Sequence, residues 1–319
     1  MGATHLDGPL YVAGVPLNGA SLPTTYGTTY FVDYDNGSDS WEGTMDRPFK
    51  TVACGYAAMT SNKDDVLAMS SVSAHAISDM LDVQKNRCHF VGLGGWGRYM
   101  GQRTRLEMGS TTGTAIAIVK NTGVGNTFSG IKFRSTDDLA TSLYAFADGG
   151  EFTQISYCSF EKDEDLNQTT AAEFLCNADT PYYYHCSFGN CIYTVSVARA
   201  VVLFTGGTIS GKKARDVIFD DCILMNKTSA TTSVHVKATT ADIERICEFN
   251  HTRFWTAKTS SATQAKVFGI ASALTDGQIL LRNCAVMNVT DVCSTGLGVF
   301  TTSPTPVKDG TEAVSVDTT

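Results

Sequence analysis

The sequence repeats itself from about residue 114 onward, and this repeat limits the fold more than any other feature. A short apolar strand, a turn rich in Gly, Asp and Asn, and a second strand follow one another six times. The intervals between the first strands are 28 to 34 residues when they are aligned on their last apolar residue, at Ile118, Phe146, Cys176, Phe204, Val236 and Ile270. A fixed period of this length is typical of solenoid proteins.

The second strands of the repeat share a cysteine position. They read FSGIKF, ISYCSF, YYHCSF, FDDCIL, FNHTRF and LRNCAV, and begin at residues 128, 155, 183, 219, 249 and 281. The recurring position is occupied by Cys158, Cys186, Cys222 and Cys284, and by Thr252 in the fifth repeat. A side chain of similar size once per repeat predicts an inward-pointing stack. We expect packing rather than disulfides, because neighbours on parallel strands would strain the disulfide dihedral.

Short strands of this kind cannot bury their apolar faces within a single repeat. Stacking repeat on repeat, about 4.8 Å apart, buries those faces and pairs the backbone N–H and C=O groups between coils. The sequence therefore predicts an all-β, right-handed parallel β-helix with coils of roughly 30 residues. An antiparallel sandwich is the alternative, but its turns would not be expected in two registers that recur six times.

Composition and charge argue against several kinds of binding partner and location for this chain. The net charge is −8 and the isoelectric point about 5.2, so the surface repels phosphate backbones and nucleic acid is not an expected partner. The sequence has no apolar run of the length that crosses a membrane, and its first residues lack the basic and apolar regions of a secretion signal. None of the ten cysteines lies in a C-x-x-C pair, so zinc is not expected.

Three regions follow from this pattern. Residues 1–27 are predicted to be an N-terminal attachment arm, because an unpaired apolar segment is costly to leave in water. A disordered leader is the alternative. The β-helix is predicted over residues 28–293, with an α-helix from Lys50 to Met59 that covers its first coil, and residues 294–319 are predicted to be an extended tail. The apolar side chains of the arm that are predicted to bind are Leu10, Tyr11, Val12, Val15 and Leu17.

Three segments resemble known proteins. Residues 30–51, YFVDYDNGSDSWEGTMDRPFKT, are similar to the opening of many pectin-lyase-like β-helix proteins, and HFVGLGGWG at 89–97 is similar to their first-coil segment. The leader HLDGPLYVAGVPL at 5–17 resembles the short N-terminal heads of structural proteins from tailed bacteriophages. This resemblance implies a homotrimer. It also implies one of two roles, a capsid decoration protein or a tailspike that binds or cleaves host polysaccharide.

Carboxylates that could cleave a polysaccharide must lie in pairs about 5–10 Å apart. The candidate sets are Asp137 with Asp138, Glu161 with Asp163, Asp220 with Asp221, and Asp148 and Glu151 with Asp179 of the next coil. Asp220 and Asp221 are adjacent on a strand and are expected to point to opposite faces. Solvated turn acids explain all of these residues more simply. We therefore predict no catalysis and no required cofactor.

Two further patterns suggest binding. Asp33, Asp35 and Asp39 have the alternating oxygen spacing of a calcium loop, although Thr44 stands where such a loop carries its bidentate Glu. An Asx-rich turn is the alternative. The run Tyr182–Tyr184 together with Trp255 could form a sugar-binding strip, but core or subunit packing is the simpler explanation.

The expected function is that of a non-enzymatic phage virion protein. It would be made in the host cytoplasm and located on the capsid surface as a homotrimer that contacts the major capsid protein through its arm. The alternative is a tailspike that binds or cleaves a host surface glycan. A secreted polysaccharide lyase is a third class, and the missing secretion signal counts against it.

Overall fold

The computed structural model describes residues 27–95, 101–109, 115–136, 142–162, 170–206, 209, 211–239, 241–258, 264–270, 273–293 and 298–301, together with the strand pairs 11–12, 15–16 and 307–308. The chain folds as a parallel β-helix, as its repeat predicts. Each complete coil contributes one strand to each of three sheets, which have ten, nine and seven strands because the first and last coils are incomplete. Strands are numbered here in chain order. Every pairing between neighbouring coils in these three sheets is parallel.

The strands of sheet 1 are β3 (Thr29–Val32), β4 (Asp65–Met69), β7 (Cys88–Gly92), β10 (Thr127–Ser129), β13 (Gln154–Ser156), β16 (Tyr182–Tyr184), β19 (Val217–Asp220), β22 (Ile246–Asn250), β26 (Gln278–Arg282) and β29 (Val299–Thr301). The strands of sheet 2 are β5 (Ala74–Ala76), β8 (Thr104–Met108), β11 (Ile131–Ser135), β14 (Ser159–Lys162), β17 (Ser187–Phe188), β20 (Ile223–Thr228), β23 (Arg253–Lys258), β27 (Ala285–Met287) and β30 (Val307–Lys308). The strands of sheet 3 are β6 (Leu81–Val83), β9 (Ala117–Asn121), β12 (Tyr144–Asp148), β15 (Ala172–Cys176), β18 (Ala200–Phe204), β21 (Val234–Ala238) and β25 (Phe268–Ile270). A two-stranded parallel sheet of β24 (Gln264–Lys266) and β28 (Val289–Asp291) lies outside them.

Each predicted second strand is in fact two strands that meet at a sharp corner between sheet 1 and sheet 2. The corner is one residue with positive φ, and in successive coils it is Gly130, Tyr157, His185, Asp221, His251 and Asn283. Left-handed backbone at one residue turns the chain abruptly without a loop. Strand pairing was predicted correctly on both sides of the corner, since Phe128 pairs with Ile155 in sheet 1 and Phe133 with Phe160 in sheet 2.

The residue after each corner points inward and forms the predicted cysteine stack. From the coil of Cys186 onward, its thiol or hydroxyl donates to a backbone carbonyl of the preceding coil, for example Cys222 Sγ to Tyr183 O at 3.4 Å and Thr252 Oγ1 to Phe219 O at 3.3 Å. Threonine therefore replaces cysteine because both side chains supply a small donor. All ten cysteines are free thiols. Burial raises the pKa of the Cys284 thiol to about 11, so it remains a protonated donor.

The predicted alignment of the first strands, which lie in sheet 3, is wrong in most coils. Phe146 pairs with Phe174 rather than with Cys176, and Val202 rather than Phe204 pairs with Val236. Only Cys176 with Phe204 pairs as predicted. A shift of two residues keeps every apolar side chain on the inner face, so apolar character alone cannot fix the register.

Aromatic rings stack from coil to coil in the interior. Phe133 and Phe160 lie with ring centroids 5.2 Å apart and nearly parallel planes, and Phe160 and Phe188 are 5.1 Å apart in the same way. Phe174 packs edge-on against Phe160 at 4.9 Å. These rings are fully buried. Offset stacks and edge contacts add to the free energy gained by burying the rings, so the interior joins the coils into one core.

The first coil is covered by α1 (Val52–Ala58), which is shorter than the predicted Lys50–Met59 helix. Thr51 is its N-cap and accepts a hydrogen bond from Cys54 N. At its other end the Lys85 ammonium donates to the carbonyl oxygens of Tyr56 at 2.8 Å, Ala57 at 2.9 Å and Met59 at 2.6 Å. A cation at the helix C-terminus satisfies carbonyls that lack partners within the helix. This contact fastens α1 to the coils.

The two ends of the chain differ. In the leader, β1 (Tyr11–Val12) and β2 (Val15–Pro16) form an antiparallel pair of their own. In the predicted tail, β29 pairs with β26 and β30 with β27, both in parallel, so these tail strands extend sheets 1 and 2. The domain boundaries at 27 and 293 stay a prediction.

His235 is buried inside the β-helix and should make stability depend on pH. Its Nδ1 lies 3.0 Å from Gln264 Nε2, and burial lowers the pKa of the imidazole to about 4. The unfolded chain binds a proton near pH 6.5 and the folded one does not, so acid favours unfolding. The contribution of neutral His235 to the free energy of unfolding is fully present above pH 6.5 and is lost as the pH falls through 4. We expect it to reduce the free energy of unfolding by about 2 kcal/mol between pH 7 and pH 5.

Urea titrations at the two pH values check this expectation. His235→Gln cannot ionise, and it should show a smaller loss on acidification than the unmodified chain. Comparing the two slopes removes the contributions of His75 and His89, whose pKa values are also lowered by burial. Equal slopes would show that His235 is not the group responsible.

Candidate functional site

An open cavity of about 600 Å³ lies along the corner between sheets 1 and 2, and we call it the corner groove. Its lining comes from four successive coils, those of β16, β19, β22 and β26. The lining residues are Tyr184, Asp220, Asp221, His251, Arg253, Asn283 and Ala285. Corner residues therefore supply three of the side chains, because each corner directs its side chain out of the β-helix.

Asp220 and Asp221 both line this groove, so the prediction that they point to opposite faces is wrong. That prediction assumed an uninterrupted strand. Strand β19 ends at Asp220, and Asp221 is the corner residue with φ of 46°. The turn of the backbone there breaks the alternation of side chains.

Protein donors already surround both carboxylates. The Tyr182 hydroxyl donates to Asp220 Oδ2 at 2.9 Å, and His251 Nδ1 lies 3.4 Å from Asp220 Oδ1. His185 Nδ1 lies 3.0 Å from Asp221 Oδ2. Burial, together with the hydrogen bond to Asp220, raises the pKa of Tyr182 to about 12, so its phenol stays protonated as a donor. The groove wall is thus a fixed polar network.

The ring of Tyr184 lines one end of the groove, and other aromatic rings lie beside it. Tyr182 and Tyr184 project from the outer face of β16 with nearly parallel rings 6.1 Å apart, while Tyr183 between them belongs to the buried core. His185 stacks on Tyr157 at 5.1 Å. The predicted aromatic strip is therefore only partly assembled: Trp255 lies on β23 in sheet 2 and is not among the residues that line the groove.

Asp148 faces the interior of the β-helix rather than a groove. It accepts hydrogen bonds from Asn121 Nδ2 at 2.9 Å, the Tyr183 hydroxyl at 2.8 Å and Thr153 Oγ1 at 3.2 Å. Its pKa is raised by complete burial, against the opposing effect of these donors. We regard it as part of a structural polar cluster, since it is enclosed by protein.

The turn acids Glu151 and Asp179 do meet between coils, as predicted, through a parallel backbone bridge. Their side chains pair with cations: Glu151 with Lys212, and Asp179 with Arg215 at 3.5 Å. Arg215 also binds Glu244 through two hydrogen bonds of 2.6 and 2.8 Å. These residues form a ladder of ion pairs that are partly exposed to solvent.

The structure does not describe both members of the two remaining candidate carboxylate pairs, Asp137 with Asp138 and Glu161 with Asp163. Glu161 is buried and pairs with Lys132 Nζ at 2.8 Å. Asp137, Asp138 and Asp163 lie outside the described residues.

Two of the acids of the possible calcium loop, Asp33 and Asp39, accept hydrogen bonds from nearby backbone N–H groups. Asp33 Oδ1 accepts from the backbone N–H groups of Asp35 and Asn36, each at 3.1 Å, which is an Asx turn. Asp39 accepts from Lys50 N, Thr51 N and the Thr51 hydroxyl, and so fixes the start of α1. Across the residues the structure describes, no group of three or more His, Cys, Asp or Glu side chains could hold a metal ion. Calcium binding stays a prediction.

Of the arm residues, Tyr11, Val12 and Val15 lie in the β1–β2 pair. Leu10 and Leu17 lie outside the described residues. In the described part of the chain, no helix is long and apolar enough to cross a membrane.

Comparison with known structures identifies the fold. A pectin methylesterase from Aspergillus niger superposes with a TM-score of 0.58 at 13% sequence identity, over 94% of this chain and 91% of that one. The chain has a pectin-lyase-like β-helix fold. A pectin methylesterase mutant in complex with a hexasaccharide matches with a TM-score of 0.55 at 12% identity, over 92% of each chain. No protein-family model matches the sequence, and no curated protein matches it as a relative. At these identities the likeness concerns the fold alone.

Sequence reasoning missed the corner groove as a site, although it named three of its acidic and aromatic residues. The signal that could have located the groove is the corner residue, which directly precedes the recurring Cys or Thr in each repeat that carries one. In the sequence this residue varies among Tyr, His, Asp and Asn. Asn, Asp and His are enriched in left-handed backbone. Their recurrence at this position of the repeat could therefore have predicted a sharp corner whose side chains face solvent.

Proposed function

We propose that this chain is a non-enzymatic structural protein of a tailed-phage virion, a homotrimeric decoration protein on the capsid surface. The observation that carries the proposal is that the two leader strands pair with each other. Strands β1 and β2 pair with each other in antiparallel fashion, whereas the coil strands pair in parallel. A leader with its own pairing and several apolar residues suits binding to a second surface, here the major capsid protein.

The coils suit this role mechanically. Every strand that is not at the end of its sheet is hydrogen-bonded to the coils on both sides, and the ring stacks continue through the interior. Unfolding one coil therefore exposes apolar surface on its neighbours, which makes a stacked array cooperative. A stacked array of coils that is attached through its leader is a physically sound reinforcement for a shell.

Deletion of residues 1–26 tests the proposal. We expect the shortened protein to lose binding to capsids that lack the decoration protein, because the leader supplies the contact. Its thermal unfolding should stay within a few degrees of that of the full chain, since the coils begin after the deletion. Co-sedimentation with the shells measures binding.

A chain shortened by residues 309–319 is the matched control and should bind shells as the full chain does. Normal binding by the protein without its leader would contradict the proposed attachment. Particle imaging adds an independent check, because many copies on the head support decoration and copies restricted to the tail refute it.

The second candidate is a tailspike-like protein that recognises host polysaccharide, and the corner groove favours it. The groove combines an aromatic ring with several hydrogen-bonding side chains, which is the composition of a sugar-binding surface. One structural neighbour is described in complex with a hexasaccharide. Recognition and decoration are compatible in one protein, so the location on the particle and the glycan binding are separate measurements.

A further inference from the structure

We infer that the corner groove binds an uncharged polysaccharide that lies along the axis of the β-helix. The inference rests on the glycan-binding candidate above, and it adds the site and the class of ligand. The groove is lined by Tyr184 at one end and by Asn283 and Ala285 at the other, with Asp220, Asp221, His251 and Arg253 between them.

The dimensions of the groove favour a chain-like ligand. Its residues come from four successive coils, and neighbouring coils are about 4.8 Å apart, so the groove is about 14 Å long along the axis. A sugar residue in an extended polysaccharide has a length similar to one coil spacing. Such a polymer therefore places about one ring beside each coil. A compact metabolite would leave most of the lining unused.

The chemistry of the wall suits sugar hydroxyls. Tyr184 is half-buried on the outer face of β16, and its ring offers a flat apolar surface to one face of a pyranose. Asp220 accepts hydrogen bonds, Arg253 donates them, and Asn283 does both. A polyhydroxylated ligand supplies both kinds of partner at each ring, which a lipid or a simple ion does not.

The charges of the wall argue against an acidic ligand, because the two carboxylates outnumber the one guanidinium, that of Arg253. A uronate carboxylate in the groove would lie beside Asp220 and Asp221, and like charges at short range are unfavourable. A cationic ligand is disfavoured too. Asp220 already accepts from Tyr182, and His185 and His251 lie within 3.0 and 3.4 Å of the two carboxylates. Neutral hydroxyls are the groups that this arrangement accommodates at the least cost.

Affinity electrophoresis of the full chain tests the inference. The gels contain one of three neutral polysaccharides, dextran, a mixed-linkage glucan or galactomannan, or the acidic polygalacturonate. We expect retardation by at least one neutral polymer and none by polygalacturonate. Tyr184→Ala should raise the dissociation constant about tenfold, since it removes an aromatic contact of the strength that such rings contribute. Asp220→Asn, which keeps a similar shape, should also weaken binding.

Tyr193→Ala is the matched control, because Tyr193 is an exposed tyrosine whose hydroxyl bonds to Arg134, away from the groove lining. It should bind as the unmodified chain does, and the melting temperature of each variant confirms its fold. Undiminished binding by both groove variants overturns the site and leaves glycan recognition standing. Binding to polygalacturonate alone overturns the ligand class. Retardation by none of the four polymers overturns this inference and the glycan-binding candidate, while the decoration proposal is judged by the leader deletion.

Discussion

Phe160→Ala should lower the free energy of unfolding by about 3–5 kcal/mol, the cost of removing a large side chain from a closed core. The Phe160 ring is fully buried and lies between Phe133 and Phe188 of the adjacent coils in sheet 2. It also contacts Phe146 and Phe174 of sheet 3 edge-on. The substitution thus opens a cavity that is lined by rings from three coils. Backbone pairing prevents those coils from closing the space, because their separation is set by the sheet hydrogen bonds.

Urea unfolding followed by far-UV circular dichroism measures this loss. Phe152→Ala is the matched control, since Phe152 is 57% exposed and belongs to the same coil. Its free energy of unfolding should change by less than about 1 kcal/mol, as for most surface substitutions. If the two variants lose similar stability, the interior ring stack does not hold the coils together.

The repeat predicts the fold because it shows which strand faces must be buried and how often they recur along the chain. A strand whose alternate residues are apolar has one face that must be covered, and identical faces every 28 to 34 residues are covered best by each other. The corner strands were aligned correctly since cysteine marks a unique position in each coil. Sheet 3 has no such marker, so the apolar pattern predicts that Phe146 pairs with Cys176, whereas it pairs with Phe174.

The site was harder to predict than the fold, for a physical reason. Functional side chains on a β-helix point outward, where no packing rule constrains residue type. Asp220 and Asp221 converge because of one backbone dihedral at Asp221, which strand periodicity does not encode. Trp255 and Tyr182 are both aromatic and both lie on outer surfaces, yet they belong to different sheets. Sequence alone cannot assign them to one surface before the corner is located.

A buried ion pair provides the second test of how the coils are joined. Arg199 donates to Glu173 Oε1 at 2.7 Å and to the carbonyl of Lys162 at 2.9 Å, and both charged side chains are almost fully buried. The pair links the segment before β18 to β15 and the end of β14. Arg199→Met should cost about 3–5 kcal/mol, because Glu173 then keeps a buried charge without its guanidinium partner.

Arg282→Met is the matched control for this pair. Arg282 contacts Glu248 at 3.3 Å but is 48% exposed, so its loss should cost no more than about 1 kcal/mol. Adding Glu173→Gln to Arg199→Met should recover part of the lost stability, since it removes the uncompensated charge. Chemical denaturation of the single and double variants gives the coupling energy. Additive losses would mean that Arg199 acts through packing of its stem and not through its charge, and the ion pair would then have no part in joining these coils.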